Sequence, residues 1–366
     1  MNQLFQRCAG IDISKRKFTV CIHGARGRDK APKDFANSET GFEALWEWAG
    51  ESHSTLFLME ATGTCHEALA QWLTGKGASV TVVMPTRARR FAEAELARTK
   101  TDAADSEILA QLGLHSRHLS LWAPPDPLWR QVRDLTRLRE KIILDSGGIR
   151  CAKAAILPHG SDLSAGIYDD LLGKGNTIRQ RCEKAIRDRL CKNPETWDRV
   201  TRLTSIPGIG WMTAAIVLAE TDGFRKVSSA RALACFAGLD VRQLQSGSSV
   251  HGRSRISKMG NAHLRAALYM PALAAIRNSA TFGKIADGIN ARHPESRKIA
   301  VTAIQRRLLL AMYSLWKSGM VWDAKSYEVK ESPLVPPPPF HNDGFCSLSF
   351  EGKGHRWRRK IRNENG

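Results

Sequence analysis

The sequence has no CxxC pair. Its 8 cysteines are scattered, and Cys182 and Cys191 stand too far apart for an ordinary zinc knuckle. That excludes a zinc-ribbon module and points to reduced thiols. No apolar run approaches the roughly eighteen residues that a membrane helix needs, and the start, MNQLFQRCAGIDIS, lacks a charged leader followed by an apolar segment. The expectation is a soluble, cytoplasmic chain with no membrane partner. Acids are also scarce: 36 Asp and Glu stand against 55 Lys and Arg, a formal net charge of +19. Such an excess suits a polyanion. With 366 residues, 42% of them hydrophobic, the chain is long enough for more than one core.

The few acids are not evenly placed. Within Arg98 to Glu107, RTKTDAADSE, Asp102 and Asp105 lie three residues apart just after basic residues, so the first turn of a helix would point both the same way. Two carboxylates about 6 Å apart repel by roughly 3 kcal/mol at an effective dielectric near 20, which calls for a cation, a shared proton or open water. Taken alone, such a pair reads first as a solvated turn favoured by the helix dipole. Two other acids change its company. Asp12 lies inside an apolar strand pattern, GIDIS, where an unpaired charge is costly and where the other reading is the solvent face of an edge strand. Glu60 ends the apolar run TLFLME, at the carboxyl end of a strand, where open α/β sheets place their sites. Cys65 and His66 are adjacent and diverge on a helix, so they read as structural.

Strand patterns at 8–24, 33–37, 55–60 and 78–84 alternate with helical patterns through residue 118, which gives an α/β domain. Arg87, Arg89 and Arg90 form a basic helical face near the acids. After the turn APPDP, Leu128, Val132, Leu135, Leu138 and Ile142 recur at helical spacing among Arg130, Arg133, Arg137 and Arg139. A second run from Leu171 to Leu190 would pair with it as a coiled-coil-like hairpin, interrupted at Asp145–Gly148. Its seam suits packing or a dimer surface, and its arginines suit nucleic acid. Further on, Ile206-Pro207-Gly208-Ile209-Gly210 sits between two helices like a helix-hairpin-helix turn, whose glycines let amides approach a phosphate. The stretch after Asp240 has no acid before Met270, and it surrounds Gln245-Ser246-Gly247-Ser248-Ser249 with Arg242, His251, Arg253, Arg255, Lys258, His263 and Arg265. A serine there would need a base, a metal or dense positive charge to become a nucleophile, and a flexible Ser/Gly loop is the plainer reading.

The strings GIDISKRKFTV, MEATGTCHEAL and RTKTDAADSEILA resemble the N-terminal domain of the DEDD-type insertion-sequence transposases, described as bridge-RNA-guided serine recombinases. They are similar also to site-specific DNA invertases and, more distantly, to RuvC Holliday-junction resolvases. The resemblance continues from Leu203 to Pro271 with the family's C-terminal domain. It implies an RNase H/RuvC-like α/β domain over 1–120, a helical middle over 121–200 and a mainly helical domain over 201–330; the Pro-rich, basic tail over 331–366 lies outside the resemblance, and its composition predicts poor order. It implies that Asp12, Glu60, Asp102 and Asp105 hold Mg²⁺, and hard oxygen ligands suit that ion. A serine beside glycine is the family's nucleophile, which points to Ser246. A register slip would exchange it for Ser248 or Ser249, while Ser254 and Ser257 match less well. Arg253, Lys258, Asn261 and Arg265, with Gly208 and Gly210, would bind DNA. Donor and target DNA, a noncoding guide RNA and further copies of the chain, as dimer or tetramer, are the implied partners. Two other readings stay open: a metal-dependent resolvase or nuclease that needs only the acids, and a noncatalytic nucleic-acid scaffold.

Overall fold

The computed structural model describes residues 5–324 except 51, 52, 62, 97, 98, 117, 118, 157–161, 243, 244, 247–249 and 252–254; at 162, 245, 246, 250 and 251 it describes the backbone alone. The chain begins with strands β1 (Arg7–Ile13), β2 (Lys17–Gly24) and β3 (Gly27–Ala36), then helix α1 (Glu39–Ala49). Strand β4 (Leu56–Glu60), helix α2 (Glu67–Gly75), strand β5 (Ser79–Val83) and helices α3 (Pro85–Ala94) and α4 (Asp102–His115) complete a mixed α/β unit. The sheet order is β3-β2-β1-β4-β5. The first three strands pair antiparallel, and β1-β4 and β4-β5 pair parallel. Alternation explains the two faces: Ile11, Val20, Phe57 and Val80 pack under α1 and α2, while Cys8, Leu56, Leu58 and Val83 meet α3 and α4. Trp46 and Trp48 are half-buried at the margin of the first of these cores.

Helix α4 lies directly on β1. A methyl group at Gly10 would come within 2.1 Å of both the Ala110 amide nitrogen and the Ser106 carbonyl oxygen, so only glycine admits this approach. The contact draws the first turn of α4 towards the strand that bears Asp12.

Two 30-residue helices follow, α5 (Pro127–Ile156) and α6 (Asp162–Cys191). The expected break at Asp145–Gly148 does not occur. Two interior glycines cost α5 about 2 kcal/mol of intrinsic propensity, but the helix packs along α6, where Gly175 leaves room for the buried Ser146. Packing along the hairpin outweighs the local penalty. The second helix also starts earlier than the apolar run from Leu171. The arginines between the seam positions find partners within the chain: Arg130 and Arg133 pair with Glu67, Arg137 with Glu220, and Arg139 with Glu183. This row therefore ties α5 to α2, to α6 and to the helices that follow.

Those helices are α7 (Pro194–Leu203), α8 (Trp211–Thr221) and α9 (Ala230–Ala237). Short strands β6 (Val241–Arg242), β7 (Gln245–Ser246), β8 (Val250–His251) and β9 (Arg255–Ile256) come next, then α10 (Ala262–Asn278), α11 (Ala280–Arg292) and α12 (Arg297–Ser318). Their core runs from Trp129, Val132, Ile186 and Leu190 of the long helices to Leu218, Leu268, Ile304 and Leu308. Among the described residues no helix is long and apolar enough to cross a membrane. The tail over 331–366 lies outside the described residues.

Candidate functional site

Asp12 is the sixth residue of β1, paired across the strand with Thr19 and flanked by the buried Ile11 and Ile13. Glu60 is the last residue of β4, the parallel neighbour of β1. Thr101 caps α4, its hydroxyl accepting from the Ala104 amide at 3.1 Å, and the turn thus fixed carries Asp102 and Asp105. Four acids separated by up to 93 positions, from 12 to 105, are so brought to one end of the sheet.

Their electrostatics record the gathering. Burial, then the charges of Asp105, Asp102 and Glu60, push the Asp12 carboxyl up to about 6, against a smaller opposing effect of Lys100. Burial and Asp105 likewise raise Glu60 above the usual carboxylate range. Lys17, the first residue of β2, bridges the edge of the group, with Nζ 3.1 Å from Asp102 and 3.0 Å from Asp34. Glu107, two residues beyond Asp105 on α4, is instead taken by Arg28 at 2.5 Å. Among the described residues no three His, Cys, Asp or Glu side chains already converge as a cation cage. The donor set is nonetheless all hard carboxylate oxygen, and it carries more negative charge than its two lysines neutralise. It fits a small divalent cation.

The second candidate region is a basic ribbon. β6 pairs with β9, and further out β7 pairs with β8, setting Ser246 opposite Val250. Ser248, Ser249, Ser254 and Arg253 lie outside the described residues, and for Ser246 only the backbone is described. Ser257 is described: its hydroxyl donates to Asp240 at the base of the ribbon, a structural bond rather than a reactive position. Arg90 of α3 reaches the Met259 sulfur at 3.4 Å, so the base of the ribbon lies against the basic helix that follows β5.

The residues expected to bind DNA divide. Lys258 is exposed in a left-handed backbone conformation. Asn261 caps α10 through Oδ1 and donates from Nδ2 to Glu220 at 2.6 Å. Arg265 donates from one nitrogen to the carbonyls of Ala237, Gly260 and Asn261. In this structure both hold the fold around the ribbon. Gly208, with φ of +84°, is fixed by packing as well: a methyl there would lie 2.4 Å from the Pro271 carbonyl oxygen of α10. Gly210 is exposed at the N-cap of α8, where helix amides face outward.

Sequence reasoning missed Lys17, Lys100 and the buried Glu220. Glu220 carried a signal, since it ends the apolar run TAAIVLAE in the same manner as Glu60 ends TLFLME.

Comparison with known proteins gives three findings. A family model described as Transposase, of the DEDD IS110 type, matches residues 9–148, and one described as Transposase IS116/IS110/IS902 family matches residues 200–286. The pilin gene-inverting protein of Moraxella bovis is 30% identical over 324 residues, 87% of this chain and 98% of that protein; its counterpart from Moraxella lacunata is 29% identical over the same length. A 43.6 kDa protein of insertion element IS110 from Streptomyces coelicolor is 27% identical over 123 residues, 34% of this chain.

Proposed function

The chain belongs to the IS110 family of transposases, and on that premise we propose that it cuts and rejoins DNA at a composite site made of the four acids and Ser246. Asp12, Glu60, Asp102 and Asp105 would hold Mg²⁺, which when bound neutralises charge on phosphate oxygens. The single observation that carries the acidic half is the placement of Asp12 on β1 and Glu60 at the end of its parallel neighbour β4, beside the first turn of α4 that bears Asp102 and Asp105, on a sheet of order β3-β2-β1-β4-β5. That order supports an RNase H/RuvC-like assignment for residues 1–120, with a helical hairpin over 121–200 and the serine-bearing domain over 201–330.

Ser246 Oγ attacks the phosphorus of the scissile phosphodiester. A bond forms between phosphorus and serine as the bond to the deoxyribose oxygen breaks, and the serine proton passes to that departing oxygen. A hydroxyl of the exchanged strand then attacks the phosphoserine ester, makes the new phosphodiester and returns the proton to Ser246. The number of phosphodiester bonds is conserved, so the exchange requires no external energy source. The exposed Lys258 and Arg255 supply positive potential at the base of the ribbon. The acid-free stretch between Asp240 and Met270, which contains the ribbon, supports this placement.

Donor and target DNA are the substrates. Family resemblance supports a noncoding guide RNA as the element that selects them, and assembly through α5 and α6 as a dimer or tetramer. The inverting relatives support strand exchange over simple cleavage. The experiment is recombination of donor and target plasmids in cells, with the element's flanking noncoding DNA supplied. Ser246→Ala and Asp102→Asn should each abolish recombination. Full activity in Ser246→Ala would return the site to a metal-dependent resolvase, and full activity in Asp102→Asn would leave the acids without a catalytic part.

A further inference from the structure

Glu220 is 2% exposed, the most deeply buried acid among the described residues. It sits in the last turn of α8, and three segments meet on it. Arg137 of α5 donates from Nε at 2.8 Å to one carboxylate oxygen and from Nη2 at 2.9 Å to the other. Asn261 donates at 2.6 Å to the second oxygen. Lys226 donates to the Glu220 main-chain carbonyl at 3.4 Å. One turn along α5, Glu140 meets His263 of α10, so the long helix holds the start of α10 directly at His263 and through Glu220 at Asn261.

A carboxylate buried in an ion pair, here with a half-exposed arginine, seldom adds stability over an apolar replacement; its better-attested use is to fix one arrangement among several. Here the arrangement fixed is that of the ribbon. Asn261 is the residue at which the chain leaves it: its amide donates to the Phe236 carbonyl at 2.7 Å, and its side chain starts α10. On the entry side, Lys258 donates to the Gly238 carbonyl and Arg265 holds the Ala237 carbonyl. Asn261 thus locks the exit of the ribbon to its entry, and Glu220 locks Asn261 to α5.

We propose that Glu220 is a positioning residue for the serine-bearing ribbon, acting through Asn261 and anchored by Arg137 of the long helix. The proposal deepens the functional reading above and rests on its assignment of Ser246. It makes the placement of the nucleophile depend on the helix pair that joins the two halves of the chain.

Hydrogen-bond direction gives the test. Glu220→Gln sets an amide donor against Arg137 or Asn261, and Asn261→Asp sets a second carboxylate against Glu220. The double variant restores a donor–acceptor pair between positions 220 and 261 and keeps net charge and the α10 cap. The full-length protein is expressed with a plasmid carrying the element's ends and flanking noncoding DNA. Three quantities are read: covalent protein–DNA adduct, occupancy of the element ends by crosslinking, and amide exchange over residues 255–261. Each single variant should lower adduct formation about tenfold or more, in keeping with an ångström-scale misplacement. Occupancy should stay at the wild-type level, and exchange should accelerate. The double variant should react faster than either single one. Wild-type rates in the single variants, a loss that follows occupancy or the amount of folded protein, or a double variant no faster than the single ones would overturn the proposal. An adduct that persists in Ser246→Ala would sink the nucleophile assignment separately. In that event exchange decides alone: acceleration reversed in the double variant upholds the positioning role, and unchanged exchange rejects it.

Discussion

Gly10 shows how much of the site rests on one absent side chain. The strand before Asp12 touches the backbone of α4 at this residue, and a methyl would have to displace main chain, not the end of a flexible side chain. Gly10→Ala should therefore destabilise the protein by about 3 kcal/mol or more, the range of severe overpacking. Urea unfolding measures it, and a loss below about 1 kcal/mol would show that α4 can move aside cheaply. Glu220 gives a second prediction. Burial raises its pKa, but hydrogen bonds from Arg137 and Asn261 and the charges of Arg137 and His263 more than reverse that, leaving it below the usual carboxylate range. A depressed folded-state pKa contributes stability above the unfolded-state value and loses it as pH falls through the folded-state value. The stability of wild type relative to Glu220→Gln should accordingly shrink as pH falls below the ordinary glutamate pKa, about 4.3. Chemical denaturation at a series of acid pH values would show it. A constant difference between the two proteins would contradict the linkage.

At the scale of elements, the helix pair α5 and α6 offers the plainest test. Gly147 and Gly148 lie inside α5 without positive φ, and a methyl at either meets nothing within 4 Å. Gly147→Ala and Gly148→Ala should each stabilise by about 0.5–1 kcal/mol, read as a higher melting temperature; destabilisation would mean that the helix needs their freedom. These same glycines mark where local sequence misleads. GIDIS, TLFLME and ASVTVVM were legible as strands because β-period and apolar run agree with burial, and the acids on them stood out against that background. The interruption expected at Asp145–Gly148 failed because packing on α6 is non-local and leaves no local signature. Asn261 and Arg265 have a structural role that is non-local in the same way. Their charge and polarity are visible in sequence, but the buried carboxylate and main-chain carbonyls that take them come from distant segments.

Across the whole molecule, the positive charge and the gathered acids are complementary parts of one account. An excess of +19 draws in a polyanion, and the acids would need a cation before a phosphate could approach them. The ribbon base lies against α3 through Arg90 and Met259, while Glu67 with Arg130 and Arg133 joins α2 to α5. The α/β unit and the helical half are thus linked on both sides of the chain's midpoint, which is what a composite site requires. The most direct test is chemical. Protein trapped on DNA in cells is digested with nuclease and trypsin, and the peptide over residues 243–253 is fragmented by mass spectrometry. The account predicts a nucleotide phosphate on Ser246, absent from Asp102→Asn protein. A nucleotide on Ser248 or Ser249, or recombination with no adduct at all, would contradict it.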